Sequence, residues 1–302
     1  MKNRFRGVFT ALITPFTEYN TVDYASLERI VNEQIAAGVD GLVPCGTTGE
    51  SPTLSHEEHS RVIAQTIKYA KGRVPVIAGT GSNATSEAIS LSQHAQDAGA
   101  DAVLLVNPYY NKPTQMGLYL HFKAIAESVS IPCILYNIKG RTGINLETET
   151  LTRLENECPN IVAVKEASGD MGQMCDVIAQ RKNGFSVLSG DDNLSLELIK
   201  NGGDGVISVA SNIFPREMTE MIHAALDGNF EKADKLNAWL SDFFKVCFIE
   251  TNPIPIKTAM AYAGHCKEIF RLPICPLEKE EHRETLLSVV QKMQDDIREG
   301  RV

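Results

Sequence analysis

The stretch Ala37-Gly38-Val39-Asp40-Gly41 joins a segment of helical periodicity to a short apolar run. It recurs as Ala98-Gly99-Ala100-Asp101-Ala102 and, in shorter form, as Gly202-Gly203-Asp204-Gly205. A glycine after a helix favours the left-handed conformation of a helix C-terminus, and the small residue after each aspartate leaves room for neighbouring strands. Three copies of one helix-to-strand turn predict a repeated unit of strand and helix.

Eight short apolar runs rich in β-branched residues fit this unit, because each is bounded by turn residues and followed by a polar, helix-like segment. The runs are 8–13, 41–43, 74–78, 102–106, 133–136, 161–164, 186–188 and 205–209. Such runs predict parallel strands that are buried on both faces. After about residue 228 the pattern changes, and the segments 230–248, 255–263 and 277–298 are helix-like.

The sequence therefore predicts an α/β fold, a (β/α)8 TIM barrel over residues 1–227 followed by a helical C-terminal domain over residues 228–302. An open, doubly wound sheet is the alternative, because strand counting alone does not separate the two. In both folds ligands bind at the carboxyl ends of the strands. Candidate site residues are therefore sought at those ends.

Composition narrows the function classes. The 302 residues include 29 Lys and Arg against 38 Asp and Glu, a net charge of -9, which argues against nucleic acid as the partner. The 7 cysteines form no C-x-x-C pair, which indicates a reducing compartment and no structural zinc. His56 and His59 are close enough to share a metal, but no nearby Cys or third His completes a site.

The amino-terminal apolar stretch 7–16 imitates a secretory signal, but Pro15 lies within it and no small-residue cleavage site follows. A first buried strand is the better interpretation. No apolar run approaches the roughly 18 residues of a membrane span. We expect a soluble, cytoplasmic protein with no membrane partner.

Two glycine-rich motifs follow predicted strands. Gly46-Thr47-Thr48-Gly49-Glu50 offers N–H and O–H donors to a small anion such as a carboxylate, and it lacks the lysine of a nucleotide P-loop. A plain Gly/Thr turn is the alternative. Gly79-Thr80-Gly81-Ser82-Asn83-Ala84 fits a dinucleotide fingerprint, but the acid that should bind the ribose would be Asp101, which precedes a strand instead of ending one. Dinucleotide binding is therefore disfavoured.

Three side chains at later strand ends suit carbonyl chemistry. Lys165 follows four apolar residues, so its ammonium loses hydration and is driven toward the neutral amine that imine formation requires. Tyr136 ends the preceding run and could relay protons, and Arg141 lies in a Gly-bounded loop suited to hold a carboxylate. The alternatives are a rim tyrosine, a surface arginine and a lysine paired with Glu166.

In this order along the chain, the motifs resemble the dihydrodipicolinate synthase family, part of the pyruvate-dependent class I aldolase and lyase superfamily. The matching stretches cover nearly the whole chain, namely 46–50, 74–88, 107–113, 136–137, 141–143, 165–167, 188–192 and 252–255. The resemblance implies a lyase that condenses pyruvate with L-aspartate 4-semialdehyde to 4-hydroxy-tetrahydrodipicolinate in lysine (diaminopimelate) biosynthesis. It implies no metal and no organic cofactor.

The same resemblance assigns catalytic roles. Lys165 forms a Schiff base with pyruvate, and Tyr136 moves protons through Thr47 to Tyr110, which is donated by another subunit of a homotetramer built as a dimer of dimers. Residues that contact substrate carboxylates or complete the pocket are Thr47, Thr48, Arg141, Gly190 and Ile207.

Two positions bear on the choice within the superfamily. Arg141 and the pair Thr47-Thr48 favour the synthase over an N-acetylneuraminate lyase or a 2-keto-3-deoxy sugar-acid aldolase, which stay as alternatives together with a non-catalytic barrel homologue. Lys139 stands where the family usually has proline, so we expect a freer loop around Arg141.

A last set of residues matches those that bind the end product in feedback-inhibited members of the family, and it implies allosteric inhibition by L-lysine. An acid suits the ammonium of such an effector, and amide and phenol groups supply hydrogen bonds. The set is Ser51, His56, His59, Asn83, Glu87 and Tyr109.

Overall fold

The computed structural model describes residues 5–302, so the first four residues of the predicted barrel range lie outside it. The strands are β1 (Gly7–Ala11), β2 (Gly41–Val43), β3 (Ile77–Gly79), β4 (Ala102–Val106), β5 (Cys133–Asn137), β6 (Ile161–Glu166), β7 (Ser186–Ser189) and β8 (Gly205–Ser208). The α-helices are α1 (Tyr24–Ala36), α2 (His56–Ala70), α3 (Thr85–Asp97), α4 (Gln115–Ser128), α5 (Lys139–Thr142), α6 (Thr148–Glu157), α7 (Met171–Gln180), α8 (Ser195–Lys200), α9 (Pro215–Leu226), α10 (Phe230–Val246), α11 (Ile254–Tyr262) and α12 (Glu280–Arg298).

The eight strands are parallel neighbours in the order β2-β1-β8-β7-β6-β5-β4-β3. The sheet closes between β2 and β3 through a parallel bridge of Leu42 with Val76 and a hydrogen bond from Gly79 N to Pro44 O of 3.0 Å. The predicted barrel is confirmed, and the open doubly wound sheet is wrong. The third strand begins at Ile77, later than predicted, because Pro75 has no N–H to donate to a ladder.

Side chains fill the interior of the barrel. Phe5 and Phe9 pack at its amino end with their ring centroids 6.1 Å apart. Inward-facing residues of the other strands continue this inner core, including Val43, Ile77, Leu104, Ile134, Leu188 and Ile207. A larger apolar layer lies between the strands and the surrounding helices. Because the amino end is filled, the interior is accessible from the carboxyl ends of the strands.

The repeated turn that predicts the fold has one geometry in all three places. The glycines Gly38, Gly99 and Gly202 have φ of 93°, 92° and 97°, the left-handed conformation expected of them. Each following aspartate donates its N–H to the carbonyl of a valine that lies on the preceding strand or directly before it, and its carboxylate accepts the N–H of the same valine. The pairs are Asp40 with Val8, Asp101 with Val76 and Asp204 with Val187.

Helices α2 and α3 begin with different caps. Ser55 and Glu58 form the reciprocal capping box of α2. At α3 the N-cap is Ala84, which has no side-chain cap, and Thr85 lies inside the helix with its hydroxyl 2.9 Å from His121 Nδ1.

The C-terminal extension is helical, as predicted, with its last helix starting at Glu280. Helix α10 packs on α9, where the Phe214 ring contacts Trp239 and Phe243 with centroids 5.7 and 5.0 Å away. The division of the chain at 227 and 228 falls in the connection between α9 and α10, and as a domain boundary it stays a prediction. No helix within residues 5–302 has the length and apolar character to cross a membrane.

Candidate active site

One cavity opens at the carboxyl ends of the barrel strands. Its walls come from the strand ends, from α5 and from the segment between α10 and α11. Seven of the predicted catalytic and substrate-binding residues line it together: Thr47, Thr48, Tyr136, Arg141, Lys165, Gly190 and Ile207.

Lys165 and Tyr136 are partners across β6 and β5 and face the same cavity. The Lys165 Nζ lies 4.2 Å from the centroid of the Tyr136 ring, and each side chain is 6% exposed. A nucleophilic amine and a phenol therefore adjoin in a site largely closed to bulk water. This pairing suits imine chemistry with proton transfer.

The Gly46–Glu50 loop is held tightly around its two threonines. Cys45 and Glu50 have φ of 57° and 53°, and a side chain at Gly79 would lie 2.3 Å from the Cys45 carbonyl oxygen. At the end of the loop, the Glu50 carboxylate pairs with Lys257 Nζ of α11 at 2.6 Å, with both side chains fully buried. Burial lowers the pKa of Lys257, and the charge of Glu50 opposes that shift. The pair fastens the loop to the C-terminal extension.

Asn252 is a site residue whose role sequence reasoning missed. Its Nδ2 donates to Thr48 Oγ1 at 3.1 Å, and its carbonyl oxygen accepts from Arg141 Nη2 at 3.0 Å. Because the Thr48 oxygen accepts this bond, its proton is left to donate into the cavity. The only signal in the sequence is the motif at 252–255, far from both partners.

Arg141 lies in α5, a single helical turn, where a loop was predicted. Gly143 ends the turn with φ of 75°, and Lys139 is its first residue. The Arg141 side chain is exposed on the cavity rim, and only one of its nitrogens contacts Asn252 among the described residues. Its other donors can meet an anion. The freer loop expected from Lys139 stays a prediction.

Gly190 and Asp191 adjoin the Lys165 side chain. A Cβ at Gly190 would lie 2.9 Å from Lys165 Cε and 2.5 Å from Ala167 Cβ, so only glycine fits. Asp191, which the sequence did not single out, also lines the cavity. Burial raises the pKa of its carboxyl, and the positive charge of Lys165 opposes the rise.

Tyr110 lies outside the cavity of its own chain. Its side chain is 90% exposed, and its φ of 74° is left-handed. The contact with Thr47 expected from the sequence is therefore not made within one chain. Its role across a subunit interface stays a prediction.

A second cavity adjoins the first and shares Thr47, Tyr136 and Arg141 with it. Most of the residues predicted to bind an effector line it, namely Ser51, His56, His59, Glu87 and Tyr109. Asn83 does not line it, and its carbonyl oxygen accepts from Asn111 Nδ2 at 2.8 Å.

The second cavity carries an anionic group. The Glu87 carboxylate accepts from the Ser82 hydroxyl and lies 2.8 Å from His56 Nε2, and these hydrogen bonds lower its pKa. His59 is buried, which lowers its pKa, and its Nε2 lies 2.9 Å from the Gly79 carbonyl oxygen. The cavity therefore offers one ionised acid beside a neutral imidazole, a setting suited to an ammonium group.

The dinucleotide alternative does not fit the geometry. The Asp101 carboxylate accepts the N–H of Val76 at the amino end of β3, opposite the cavity. A Cβ at Gly81 would lie 2.3 Å from Val106 N, so this glycine serves close packing. Across residues 5–302, no group of three or more His, Cys, Asp or Glu side chains is arranged to hold a metal.

Known proteins are similar to this chain in sequence and in fold. Residues 4–293 match the model of the Dihydrodipicolinate synthetase family. The 4-hydroxy-tetrahydrodipicolinate synthase of Aquifex aeolicus (strain VF5) is 51% identical over 276 residues, which cover 91% of this chain and 94% of that protein. The crystal structure of dihydrodipicolinate synthase from Aquifex aeolicus superposes with a TM-score of 0.94 at 49% identity, covering 96% of this chain and 98% of that one. The DHDPS of Cyanidioschyzon merolae, solved with lysine bound, has a TM-score of 0.94 at 39% identity, covering 97% and 99%.

Proposed function

Because this chain belongs to the dihydrodipicolinate synthetase family, we propose that it is a lyase that makes 4-hydroxy-tetrahydrodipicolinate from pyruvate and L-aspartate 4-semialdehyde. The observation that carries the proposal is the buried Lys165 amine beside the Tyr136 ring, in a cavity that also presents Thr48 and Arg141. Two anion-binding groups suit two substrates that each carry a carboxylate. The product belongs to lysine (diaminopimelate) biosynthesis.

The first half of the reaction activates pyruvate. The Lys165 amine adds to the ketone carbon of pyruvate, and loss of one water gives a protonated imine. Thr47 and Thr48 donate hydrogen bonds to the pyruvate carboxylate, with Asn252 fixing the direction of the Thr48 proton. The imine withdraws electrons, so the methyl group loses a proton and becomes an enamine.

The second half forms the carbon–carbon bond. The enamine carbon attacks the aldehyde carbon of the semialdehyde, whose carboxylate is held by Arg141, and the aldehyde oxygen becomes a hydroxyl. The substrate's own amine then attacks the imine carbon and displaces Lys165, which closes the ring and restores the free enzyme. Tyr136 moves protons in these steps because its phenol lies beside the imine.

Proton transfer to solvent needs a second copy of the chain in this proposal. Tyr110 is exposed in its own chain, and it reaches Thr47 and Tyr136 of a neighbouring subunit. The assembly is a homotetramer, a dimer of dimers, and it works in the cytoplasm, where the 7 cysteines without a C-x-x-C pair stay reduced.

Borohydride reduction in the presence of pyruvate tests the imine. We expect a stable pyruvate-derived mass on the peptide that contains Lys165, and none in a Lys165→Arg variant. Lys257 is an internal control, because it is also buried but paired with Glu50. An adduct elsewhere, or no adduct, would overturn the mechanism.

A coupled assay tests the second substrate. L-Aspartate 4-semialdehyde should be turned over with the highest kcat/KM, ahead of N-acetylmannosamine and small sugar aldehydes. If a sugar aldehyde were preferred instead, the chain would be another pyruvate-dependent aldolase. A trapped imine without any turnover would indicate a binding homologue.

L-Lysine is the proposed effector and binds in the second cavity. Ionised Glu87 pairs with an ammonium of the ligand, and the cavity wall shared with Thr47 and Tyr136 couples occupancy to catalysis. The lysine-bound relative supports this assignment. Calorimetry should detect lysine binding to the wild type and at least about tenfold weaker binding to Glu87→Gln. Equal binding by both proteins, or none by the wild type, would remove the proposal.

A further inference from the structure

Asn137 and Glu166 directly follow the reacting pair on the same two strands. Tyr136 lies opposite Lys165 in the register of β5 and β6, and Asn137 lies opposite Glu166. Successive residues of a strand point to opposite faces, so Asn137 and Glu166 lie on the outer face of the barrel, behind Tyr136 and Lys165. They are 0% and 1% exposed.

The Glu166 carboxylate accepts hydrogen bonds from three groups. Asn137 Nδ2 lies 3.2 and 3.1 Å from its two oxygens, Ser168 N donates at 2.8 Å, and Gln173 Nε2 donates at 3.2 Å. No cation contacts this carboxylate among the described residues, and burial raises its pKa against these hydrogen bonds. Two carboxylate oxygens can serve all three donors at once, which no neutral side chain of this size can do.

Asn137 extends the contact to the segment that carries Arg141. Its Oδ1 accepts from Asn107 Nδ2 and from Leu146 N, each at 2.9 Å, and its Nδ2 donates to Asn145 Oδ1 at 2.8 Å. The connection from β5 through α5 is therefore held at both ends by one residue. A shift of Asn137 would move the Arg141 turn together with the strand.

We infer that Asn137 and Glu166 are positioning residues for the imine chemistry: their contact fixes the register of β5 against β6 and so the place of the Lys165 amine beside Tyr136 and opposite Arg141. The inference rests on the proposed function. A displacement of about 1 Å in a reacting group can slow a reaction by up to about 100-fold. Fixing the register of the two strands therefore gives a reason for burying a carboxylate that has no cationic partner. Neither residue lines the cavity.

Glu166→Gln tests the inference with little change in shape, because it replaces one acceptor oxygen by an NH2 group that faces other donors. We expect the rate of pyruvate imine formation, measured by rapid quench with cyanoborohydride, to fall about tenfold or more. The KM for pyruvate should change less than about threefold, since the threonines that bind its carboxylate are untouched.

A rescue and a control separate positioning from general stability. In Asn137→Asp/Glu166→Gln the charge moves to the opposite strand while one hydrogen bond between them is kept, and part of the lost rate should return. Asn160→Ala removes two hydrogen bonds, to Ala126 O and Val129 O, at the amino end of β6. It should lower the melting temperature and leave kcat unchanged.

Three outcomes would overturn the inference: an unchanged imine rate in Glu166→Gln, a rate that falls only with the folded fraction, or a raised KM at constant kcat. If Glu166→Gln does not fold, Gln173→Ala removes one of the three donors and must show a smaller loss of the same kind. Wild-type protein that traps no pyruvate would count against the proposed function. Normal trapping by Glu166→Gln and by Gln173→Ala would count against the positioning role alone.

Discussion

The space around the Lys165 side chain is set by one residue without a side chain. Gly190 donates its N–H to the Glu166 carbonyl at 2.7 Å, which brings its backbone against the lysine. The contact leaves Lys165 little freedom to leave the face of Tyr136. Because glycine has no Cβ, the backbone at position 190 can lie directly against the Lys165 side chain and limit where its amine lies.

Gly190→Ala should impair imine formation without unfolding the protein. The added Cβ would lie 2.5 Å from Ala167 Cβ and 2.9 Å from Lys165 Cε, so the backbone after β7 and the lysine must both shift from their places. We expect a loss of pyruvate trapping by about tenfold or more, since misplacement of a reacting group is costly.

The matched control is Gly172→Ala, in the first turn of α7, where a Cβ would meet only the Asp170 carboxylate at 3.1 Å. It should trap pyruvate at the wild-type rate. Equal rates for both variants would show that Gly190 does not restrain the lysine.

The positions of individual site residues could be predicted where the residue directly follows a predicted strand. Lys165 and Tyr136 follow apolar runs, and parallel strands bring their carboxyl ends together. Asn252 gave no such signal, because it is separated from Thr48 by 204 positions and their contact depends on how the extension folds back. Glu50 belonged to a recognised motif, but its partner Lys257 lies in a helix that sequence periodicity treats as ordinary core.

Among the helices, α2 shows how the barrel and the extension are joined at one point. Its capping residue Glu58 also accepts two hydrogen bonds from Arg271, at 2.7 and 2.6 Å. The Arg271 hydrogen bond is the main cause that lowers the pKa of Glu58 to about 2. The start of α2, which carries His56, is thus fixed from both sides.

Glu58→Gln should destabilise the protein in a pH-dependent way. A carboxyl group with a lowered pKa stabilises the fold above its unfolded pKa, and this contribution is lost as the pH falls from about 4.5 toward about 2. We expect a loss of about 1–2 kcal/mol at neutral pH, discounted because the side chain is 29% exposed. Glutamine can still accept from Ser55, so the cap is retained.

Urea unfolding followed by circular dichroism, from neutral pH to about pH 3, measures the effect. The difference between wild type and variant should shrink toward the acid end. Glu57→Gln, in the same turn and without a described side-chain partner, should match the wild type throughout. A Glu58→Gln difference that is constant with pH would contradict the assigned cause.

Elements were predictable where periodicity and turn chemistry agreed. The Gly and Asp residues of the repeated turn located β2, β4 and β8 at their first residues. Helix α5 was missed, because a four-residue turn with a central Gly140 has no periodicity and little helix propensity of its own. Its Thr142 hydroxyl lies 2.9 Å from the Ile138 carbonyl oxygen and 3.0 Å from that of Ile144, so its proton can bond to either one and stabilise the turn. Local sequence does not reveal these contacts.

At the scale of the whole molecule, the role proposed for Tyr110 would make the site depend on assembly. The Tyr110 side chain is 90% exposed in its own chain, yet the motif around it belongs to the predicted site. If Tyr110 acts in a neighbouring subunit, a chain without a functional Tyr110 and a chain without Lys165 can together form one intact active site.

Co-expression of Tyr110→Phe with Lys165→Ala tests this. Each variant alone should have little activity, and random pairing should restore about a quarter of the wild-type level, because half of the dimers are hybrids with one intact site out of two. Tandem purification on two different tags isolates the hybrids for the coupled assay.

Tyr19→Phe is the control for this experiment, since Tyr19 is 82% exposed and lies outside the stretches that resemble the family. It should retain full activity alone. Hybrids without any recovered activity would show that Tyr110 acts within its own chain, and full activity of Tyr110→Phe alone would show that it has no role.

Three aspartates at the amino end of the barrel join neighbouring strands in pairs. They join β1 with β2, β3 with β4 and β7 with β8 by the same two hydrogen bonds. Before β6 the equivalent position is Asn160, whose carbonyl oxygen accepts from Cys133 N, and the register shifts just beyond it. The β5–β6 pair, which carries Tyr136 and Lys165, is therefore joined at its amino end by a backbone carbonyl and not by an aspartate side chain.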